Sequence, residues 1–414
     1  MNDHAPDPAP GTPGRIPTHF GTGVVTTLTL ALALGAVLAT SCSLAPGRRG
    51  TPAAHPGIDA TARPPAGLTP AEVPQFVVFG FDDNGISGLD GSGTTGGVAF
   101  VVDLFAGRSN PPGRGNPRTF DGTPALASFY VATRYASAPQ TDTPEHVKRS
   151  WRQAADAGHE IGLHSHNHPH GAGFATGQWQ EEIATCRSWL EKPFAAEATA
   201  SPATGIGLSR DAVTGFRTPF LEHGLPLFPA LRLDGVAYDC SIEEGFGRGF
   251  DAGSMVWPYR IAPGWGGPGA DERELWEVPV YALVVPPDEE CEAYGVPPGL
   301  RQRLHRVRRY FDPADGKITG FDWNLWVEFG MTAPEVVATV RYTLDRRLAG
   351  NRAPLTLGTH SDLYSEQYGD DLPTTAEERR RALAAILDDA LARPDARVVT
   401  TRQLVDWLRA PAAL

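Results

Sequence analysis

Positive charge is what this chain has too little of. It carries 36 Lys and Arg against 48 Asp and Glu, a formal net charge of −12 with His neutral. Binding to a phosphate backbone needs a basic footprint, so a nucleic-acid partner is excluded, while a neutral glycan is not. Cysteine is also scarce, with four residues in 414. There is no internal repeat, which removes solenoid and propeller architectures. Long apolar runs are missing except for one near the N-terminus. What remains is ordinary globular composition, 41% hydrophobic and 20% charged, with room for one large domain or two small ones. The 46 Gly and 38 Pro fit a loop-rich α/β protein.

The one apolar run, residues 24–41, is uncharged and ends next to Cys42. The pentapeptide LATSC resembles a bacterial lipobox, in which a signal peptide is cleaved before a cysteine that receives lipid. The expectation is therefore a signal peptide or membrane anchor over 1–41 and a disordered, Ala/Pro/Gly/Arg-rich tether over 42–70. A single globular domain over 71–414 would follow. That organisation exports the globular part to the cell envelope, held at the membrane as a lipoprotein. An oxidising compartment permits disulfides. Cys240 and Cys291 bracket an insertion-like segment and are expected to pair, leaving Cys186 as a free thiol on a helix.

From about residue 74, strand-like runs alternate with helical ones. Strands are expected at 75–81, 125–133, 159–166, 215–221, 235–242, 275–283 and 354–360. Helices are expected at 143–158, where Thr143 is the N-cap and Pro144 the first helical residue, and at 177–194, 332–350 and 374–393. A strand and a short helix close the chain over 398–408. This alternation predicts βα units around a mostly parallel sheet. Asp82, Asp83, His164, His168, Arg217, Asp239 and His360 all fall at or just beyond C-terminal strand ends. In a (β/α) barrel that is the face that carries chemistry. Residues 84–124 and 243–274 read as long loop insertions over it.

The residue types at those ends suit metal-assisted hydrolysis. Asp82 and Asp83 close an apolar strand. His164-Ser165-His166-Asn167-His168 offers imidazoles at H-x-x-x-H spacing, with His166 and His170 as further candidates. One carboxylate and two histidines make a known zinc ligand set with an open position. Asp83, His164 and His168 would hold the ion and lower the pKa of its water to about 7. Asp82 is left to act as general base, Arg217 to orient it, and His360 to protonate the leaving group.

The same residues resemble the polysaccharide deacetylases with the NodB homology domain, carbohydrate esterase family 4. Gly80-Phe81-Asp82-Asp83 is similar to that family's first motif, and His164-Ser165-His166-Asn167-His168 to its second. Arg217-Thr218-Pro219-Phe220 is similar to the third, and Leu357-Gly358-Thr359-His360 to the fifth. The resemblance implies a distorted (β/α)7 barrel with long insertions. It implies Asp82 as base, Asp83, His164 and His168 as ligands, Arg217 as orienter of the base, and His360 as acid. It also implies a Phe220 backbone N–H in the oxyanion hole and Leu357 in the pocket for the acetyl methyl. For the fourth motif Asp239 is the candidate acid that orients His360, although the usual aspartate–tryptophan pair is absent there. Trp276 resembles a segment of chitin deacetylases and is a candidate sugar contact. Trp257, Trp265, Trp323 and Trp326 fall in or near the expected loops, and Trp323 is assigned to the groove.

Together these readings predict a hydrolase acting on linear amides, which takes acetyl groups from a chitin-, peptidoglycan- or exopolysaccharide-like N-acetylated glycan. Zinc, or another divalent transition metal, would be its cofactor, and zinc-bound water its nucleophile. Two alternatives use the same fold: an O-acetyl esterase on xylan or exopolysaccharide, and a glycan-binding protein without catalysis.

Overall fold

The computed structural model describes residues 57, 59–197, 201–247, 250–263, 265, 273–368 and 372–414. Its centre is a curled sheet. The strands are β1 (Gln75–Asp82), β2 (Ser128–Val131), β3 (Glu160–Leu163), β4 (Gly215–Phe216), β5 (Tyr238–Asp239), β6 (Glu243–Glu244), β7 (Tyr259–Arg260), β8 (Trp276–Glu277), β9 (Val280–Val284), β10 (Lys317–Thr319), β11 (Leu355–His360) and β12 (Ala396–Val398). The order across the main sheet is β11-β1-β2-β3-β4-β5-β8-β7, and β12 also pairs with β1. Every neighbour pair is parallel except β7 with β8. A smaller sheet, β10-β9-β6, continues past β8. One parallel bridge between Phe321 and Gly358 then brings the chain after β10 against β11. The sheet therefore curls almost onto itself with seven main parallel positions, the distorted (β/α)7 barrel expected.

Alternation along the strands sorts the side chains into two cores. Val78, Tyr130, Tyr238, Trp276, Val278 and Tyr281 pack in one cluster inside the barrel. Trp407, Leu404 and Leu408 of the helix Thr401–Arg409 join it and close the N-terminal end of the barrel. Phe79, Phe81, Phe129, Val131, Ile161 and Leu163 face outward into the second cluster, against Trp151, Ile183, Leu190 and Leu387 of the surrounding helices. Parallel strands buried on both faces read as continuous apolar runs, as in QFVVFGF.

Helix ends follow local chemistry. Thr143 accepts from the His146 N–H, and Pro144 opens the helix Pro144–Asp156. Thr375 and Glu378 form a reciprocal cap on the helix Ala376–Leu391.

Several expectations change. The stretch 84–124 is not all loop: Gly97–Phe105 is a helix, hidden in the sequence because it is apolar on nearly every side. Residues 243–274 contain β6 and β7 rather than loop alone. The tether boundary at 70 is too late. Asp59 pairs with Arg260 at 2.8 Å and accepts its backbone N–H, and the Thr61 carbonyl accepts from Trp257. Composition suggested disorder here, but specific hydrogen bonds dock the segment. Cys240 and Cys291 are not paired; both are free and buried, as is Cys186. Cys240 lies on the barrel wall and donates to the Phe216 carbonyl, whereas Cys291 donates to the Pro286 carbonyl. The apolar run 24–41 and Cys42 lie outside the described residues. Among the described residues no helix is long and apolar enough to cross a membrane.

Candidate active site

The site is built at the C-terminal ends of the strands. Asp82 ends β1 and lies in register with His360 at the end of β11, so both side chains point to the barrel mouth. Beyond Asp82 the backbone turns into the left-handed region, with φ of 65° at Asp83 and 63° at Asn84. Non-glycine residues there are held only by their surroundings. The Asn84 side chain donates to the Phe81 and Tyr130 carbonyls, and Trp151 Nε1 donates to the Asn84 carbonyl. The Gly85 and Ile86 N–H groups donate to Asp362. This clamped turn swings Asp83 to the same side as Asp82.

The histidine loop is fixed in a similar way. Ser165 and His168 have φ of 64° and 55°. Glu182 accepts from the His166 and Asn167 N–H groups at 2.9 and 2.8 Å and from the Asn167 amide at 2.8 Å. Among the imidazoles the geometry then selects two. His164 Nε2 is 3.7 Å and His168 Nε2 3.0 Å from Asp83 Oδ1. His166 instead contacts Thr133 Oγ1, and His170 contacts Glu222. Asp83, His164 and His168 bring their ligand atoms within 4.8 Å of one another.

These three residues fit a divalent ion. Asp83 Oδ1 is buried without a conventional hydrogen-bond donor. His164 Nδ1 meets the Arg217 carbonyl at 2.9 Å. Nδ1 therefore carries the proton and leaves the Nε2 lone pair facing Asp83, the usual arrangement around a metal-binding imidazole. Burial pushes His164 down to about 4, so it stands neutral, the form that ligates. Burial works against the Asp83 carboxylate, but His168 and His164 outweigh it and hold it well below the usual range.

Asp82 and Arg217 form a buried ion pair, Oδ1 to Nη1 2.8 Å, with both side chains under 5% exposed. Arg217 also donates from Nε to the Cys240 carbonyl, and its guanidinium lies over the Tyr130 ring at 4.5 Å. Asp82 Oδ2 lies 4.0 Å from His164 Nε2. The base candidate is thus beside the ligand cluster without joining it.

The acid candidate has a partner that sequence reasoning missed. His360 Nδ1 is 2.8 Å from Asp322 Oδ1, and the His360 backbone N–H donates to Asp322 Oδ2 at 2.9 Å. Burial disfavours the imidazolium, but Asp322 prevails and His360 is pushed up to about 9. Asp239, the expected partner, does not reach His360. It lies on β5 with parity opposite to Tyr238 and Cys240, so its side chain leaves the barrel on the outer side. The signal for Asp322 was present: Asp322-Trp323 is an aspartate–tryptophan pair, sought around Asp239 but found about 80 residues later.

The remaining candidates separate. Phe220 has φ 57°; its ring stacks on His170 at 4.1 Å and meets His168 edge-on at 4.6 Å, so it borders the ligand cluster. Leu357 does not line the site. Its parity is opposite to His360, and it is buried with Phe79 in the outer core. Gly358 faces inward instead, and the Phe321 ring fills the space a side chain there would take. Phe321 lies 5.4 Å from the His360 ring and under the Arg217 guanidinium at 5.3 Å, a wall residue that was not anticipated. Trp276 opens β8 at the closed end of the barrel, is 8% exposed and packs in the interior core; it offers no free face. Trp257 and Trp326 are buried, and Trp323 and Trp265 half-buried.

The curled sheet thus carries at its mouth an Asp/His/His cluster that could hold a metal ion, flanked by a carboxylate–arginine pair and a histidine–carboxylate pair. Residues 119–213 match the family model described as polysaccharide deacetylase, in agreement with the family that the motifs resemble. The matched segment holds His164 and His168; Asp82, Asp83, Arg217 and His360 lie outside it. No curated protein matches. Among solved structures, the chain is similar to a protein from Mycobacterium smegmatis assigned as a polysaccharide deacetylase. Identity is 15%, coverage 86% of this chain and 98% of that one, and the TM-score 0.49. It is also similar to a peptidoglycan N-acetylglucosamine deacetylase, at 13% identity, covering 80% and 88%, with a TM-score of 0.34. An allantoinase gives 13% identity, 83% and 94% coverage, and a TM-score of 0.44.

Proposed function

We propose that this chain is a metal-dependent deacetylase of an N-acetylated glycan, exported and held at the cell envelope. The observation that carries the reading is the pairing of each reactive group at the barrel mouth. Asp82 has Arg217, His360 has Asp322, and between them stand three ligand groups with no other shared purpose. The ligands would be Asp83, His164 and His168, and zinc suits a set of one carboxylate and two imidazoles. The chemistry such an ion supplies when bound is acidification of water and polarisation of a carbonyl.

The chain's own residues do the rest. Asp82, aimed by Arg217, takes the proton of the attacking water at Oδ2, the oxygen that Arg217 leaves free. The Phe220 N–H, in its left-handed turn beside His168, faces the carbonyl oxygen as charge gathers on it. His360 enters protonated at Nε2, because Nδ1 is committed to Asp322, and gives that proton to the leaving nitrogen. Phe321 walls the space between Arg217 and His360 and suits the acetyl methyl. Trp323, half-buried next to Asp322, suits one sugar ring.

Acetate release tests this directly. The purified protein is offered chitin oligomers, peptidoglycan and acetylated xylan, with zinc and after chelation, beside Asp82→Asn. Zinc-dependent release from the amide substrates, lost in the variant, is expected. Release from xylan alone would replace amide by ester chemistry. Binding of a glycan by the zinc-loaded protein with no release from any substrate would make it a binding protein.

A further inference from the structure

Asp239, displaced from the role expected of it, has other partners. β5 and β8 pair in register at Asp239 and Glu277, so both carboxyls leave the sheet on the same outer side, and both residues are fully buried. Asp239 Oδ2 and Glu277 Oε2 are both buried without a hydrogen-bond donor, and the register sets the two carboxyls side by side. Two carboxylates are acceptors only, so a proton must lie between them. Glu277 Oε1 accepts the Ile242 N–H at 3.0 Å, so the shared proton lies between Glu277 Oε2 and Asp239 Oδ2. Asp239 Oδ1 in turn accepts the Ser241 hydroxyl at 2.7 Å. With its proton so directed, Ser241 Oγ presents a lone pair to the Thr218 N–H at 2.9 Å. One row of hydrogen bonds thus runs from an acid pair to the backbone of the third motif.

The run Arg217–Phe220 needs such an anchor. Its arginine side chain aims Asp82, its arginine carbonyl sets the His164 ring, and it ends at Phe220, which together with the following Leu221 has φ of 57° and 55°. Turns of that kind persist only when their surroundings over-determine them.

We infer that Glu277, Asp239 and Ser241 form a proton-carrying clamp that positions the Arg217–Phe220 run. They are positioning residues, since none reaches the ligand cluster. What the run does for catalysis rests on the deacetylase reading; the clamp does not.

The test therefore has readouts with and without turnover. In the infrared difference spectrum of wild type against Glu277→Gln at neutral pH, one carboxylic-acid carbonyl band should disappear. In Ser241→Ala that band persists, while the Thr218 amide exchanges faster by about tenfold or more, as a buried N–H without an acceptor should. Glu277→Gln, whose amide can donate to Asp239 and still accept from Ile242, should keep the Thr218 amide protected. In turnover, Ser241→Ala should lower kcat by about 10- to 100-fold, the scale of a small misplacement at a reacting centre, with KM little changed. An absent difference band, or an unchanged Thr218 exchange rate in Ser241→Ala, overturns the clamp even if acetate is released. Clamp signatures present in a protein that releases no acetate would sink the deacetylase reading and leave the clamp standing. Glu277→Gln and Ser241→Ala change few atoms, so the test does not depend on a variant that fails to fold.

Discussion

Replacing Asp322 by Asn separates the acid's protonation from everything else at the site. In the wild type, burial pushes His360 toward neutrality and the Asp322 carboxylate overrides it, raising His360 from an ordinary value near 6.5 to about 9. The pair is close at 2.8 Å, and Asp322 is nearly fully buried. Asn keeps the volume and can still accept from His360, but it removes the charge. Burial then acts unopposed by its largest counterweight, and His360 should fall to 6.5 or below. The shift of about 2.5 units corresponds to roughly 3 kcal/mol of lost preference for the imidazolium. At a pH of about 7.5 the protonated fraction drops from nearly all to about one-tenth or less, so kcat should fall at least tenfold. The rest of a general acid's contribution is retained at lower pH. The assay is acetate release from about pH 5.5 to pH 10, with histidine NMR on the metal-free protein. A bound divalent cation lowers the pKa in both proteins, so the quantity to read is the difference. The basic limb should move down by about two units or more and the Asn variant should recover towards acid pH. An unmoved basic limb would refute His360 as the acid and Asp322 as the group that keeps it charged.

Other measurements probe the frame around that site. His159 is buried against Phe105 and Phe129, accepts the Ala127 N–H, and is pushed by burial down to about 4. Its folded pKa lies below its unfolded value of about 6.5. Its contribution is therefore fully present above 6.5 and lost as pH falls through 4, about 3 kcal/mol over that window. Urea midpoints of wild type and His159→Gln should converge on acidification, and parallel curves would contradict this. Zinc at about 100 times its dissociation constant should stabilise the protein by about 2.7 kcal/mol, and His164→Ala should abolish the increment; an equal gain in the variant would place the ion elsewhere. Arg217→Gln strands the Asp82 carboxylate in a buried site and should cost about 3–5 kcal/mol, read from denaturant midpoints. Under denaturing, non-reducing conditions Cys186, Cys240 and Cys291 should all alkylate, and in the native state none should, because all are buried. A protected pair after denaturation would mean a disulfide.

Much of this was legible because the strands carry their signal locally. An apolar run bounded by turn residues marks a strand buried on both faces, and the polar residue that ends it marks the barrel mouth. That reasoning located Asp82, Asp83, His164, Arg217 and His360, and the geometry brings all five within one cluster. What failed was parity. Asp239 and Leu357 sit on the right strands but on the wrong side, since a shift of one residue sends a side chain to the opposite face. Strands of two residues, such as Tyr238–Asp239 and Trp276–Glu277, contain no alternation from which parity could be read. The helix Gly97–Phe105 was missed for a related reason, because burial on most sides erases the amphipathic period.

Asp322 was missed for a different physical reason, and the error shows how the barrel is completed. A sequence reader looks for the partner of a strand-end residue on a neighbouring strand, and His360 has β1 on one side. Its other neighbour is no regular strand. It is the segment after β10, joined to β11 by the Phe321–Gly358 bridge and the Gly358 N–H donated to Gly320. Both contacts demand glycine. A side chain at Gly358 would collide with the Phe321 ring, and one at Gly320 would meet the Tyr281 carbonyl. Two glycines thus let an irregular segment approach closely enough to close the gap, and the next residue but one after Gly320 is Asp322. Closure of the barrel and orientation of the acid are therefore one structural event. Gly358→Ala should damage both together: displacing Phe321 must move Asp322, so the His360 titration should fall alongside the unfolding midpoint. A variant that lost stability yet kept His360 near 9 would show that the two are separable.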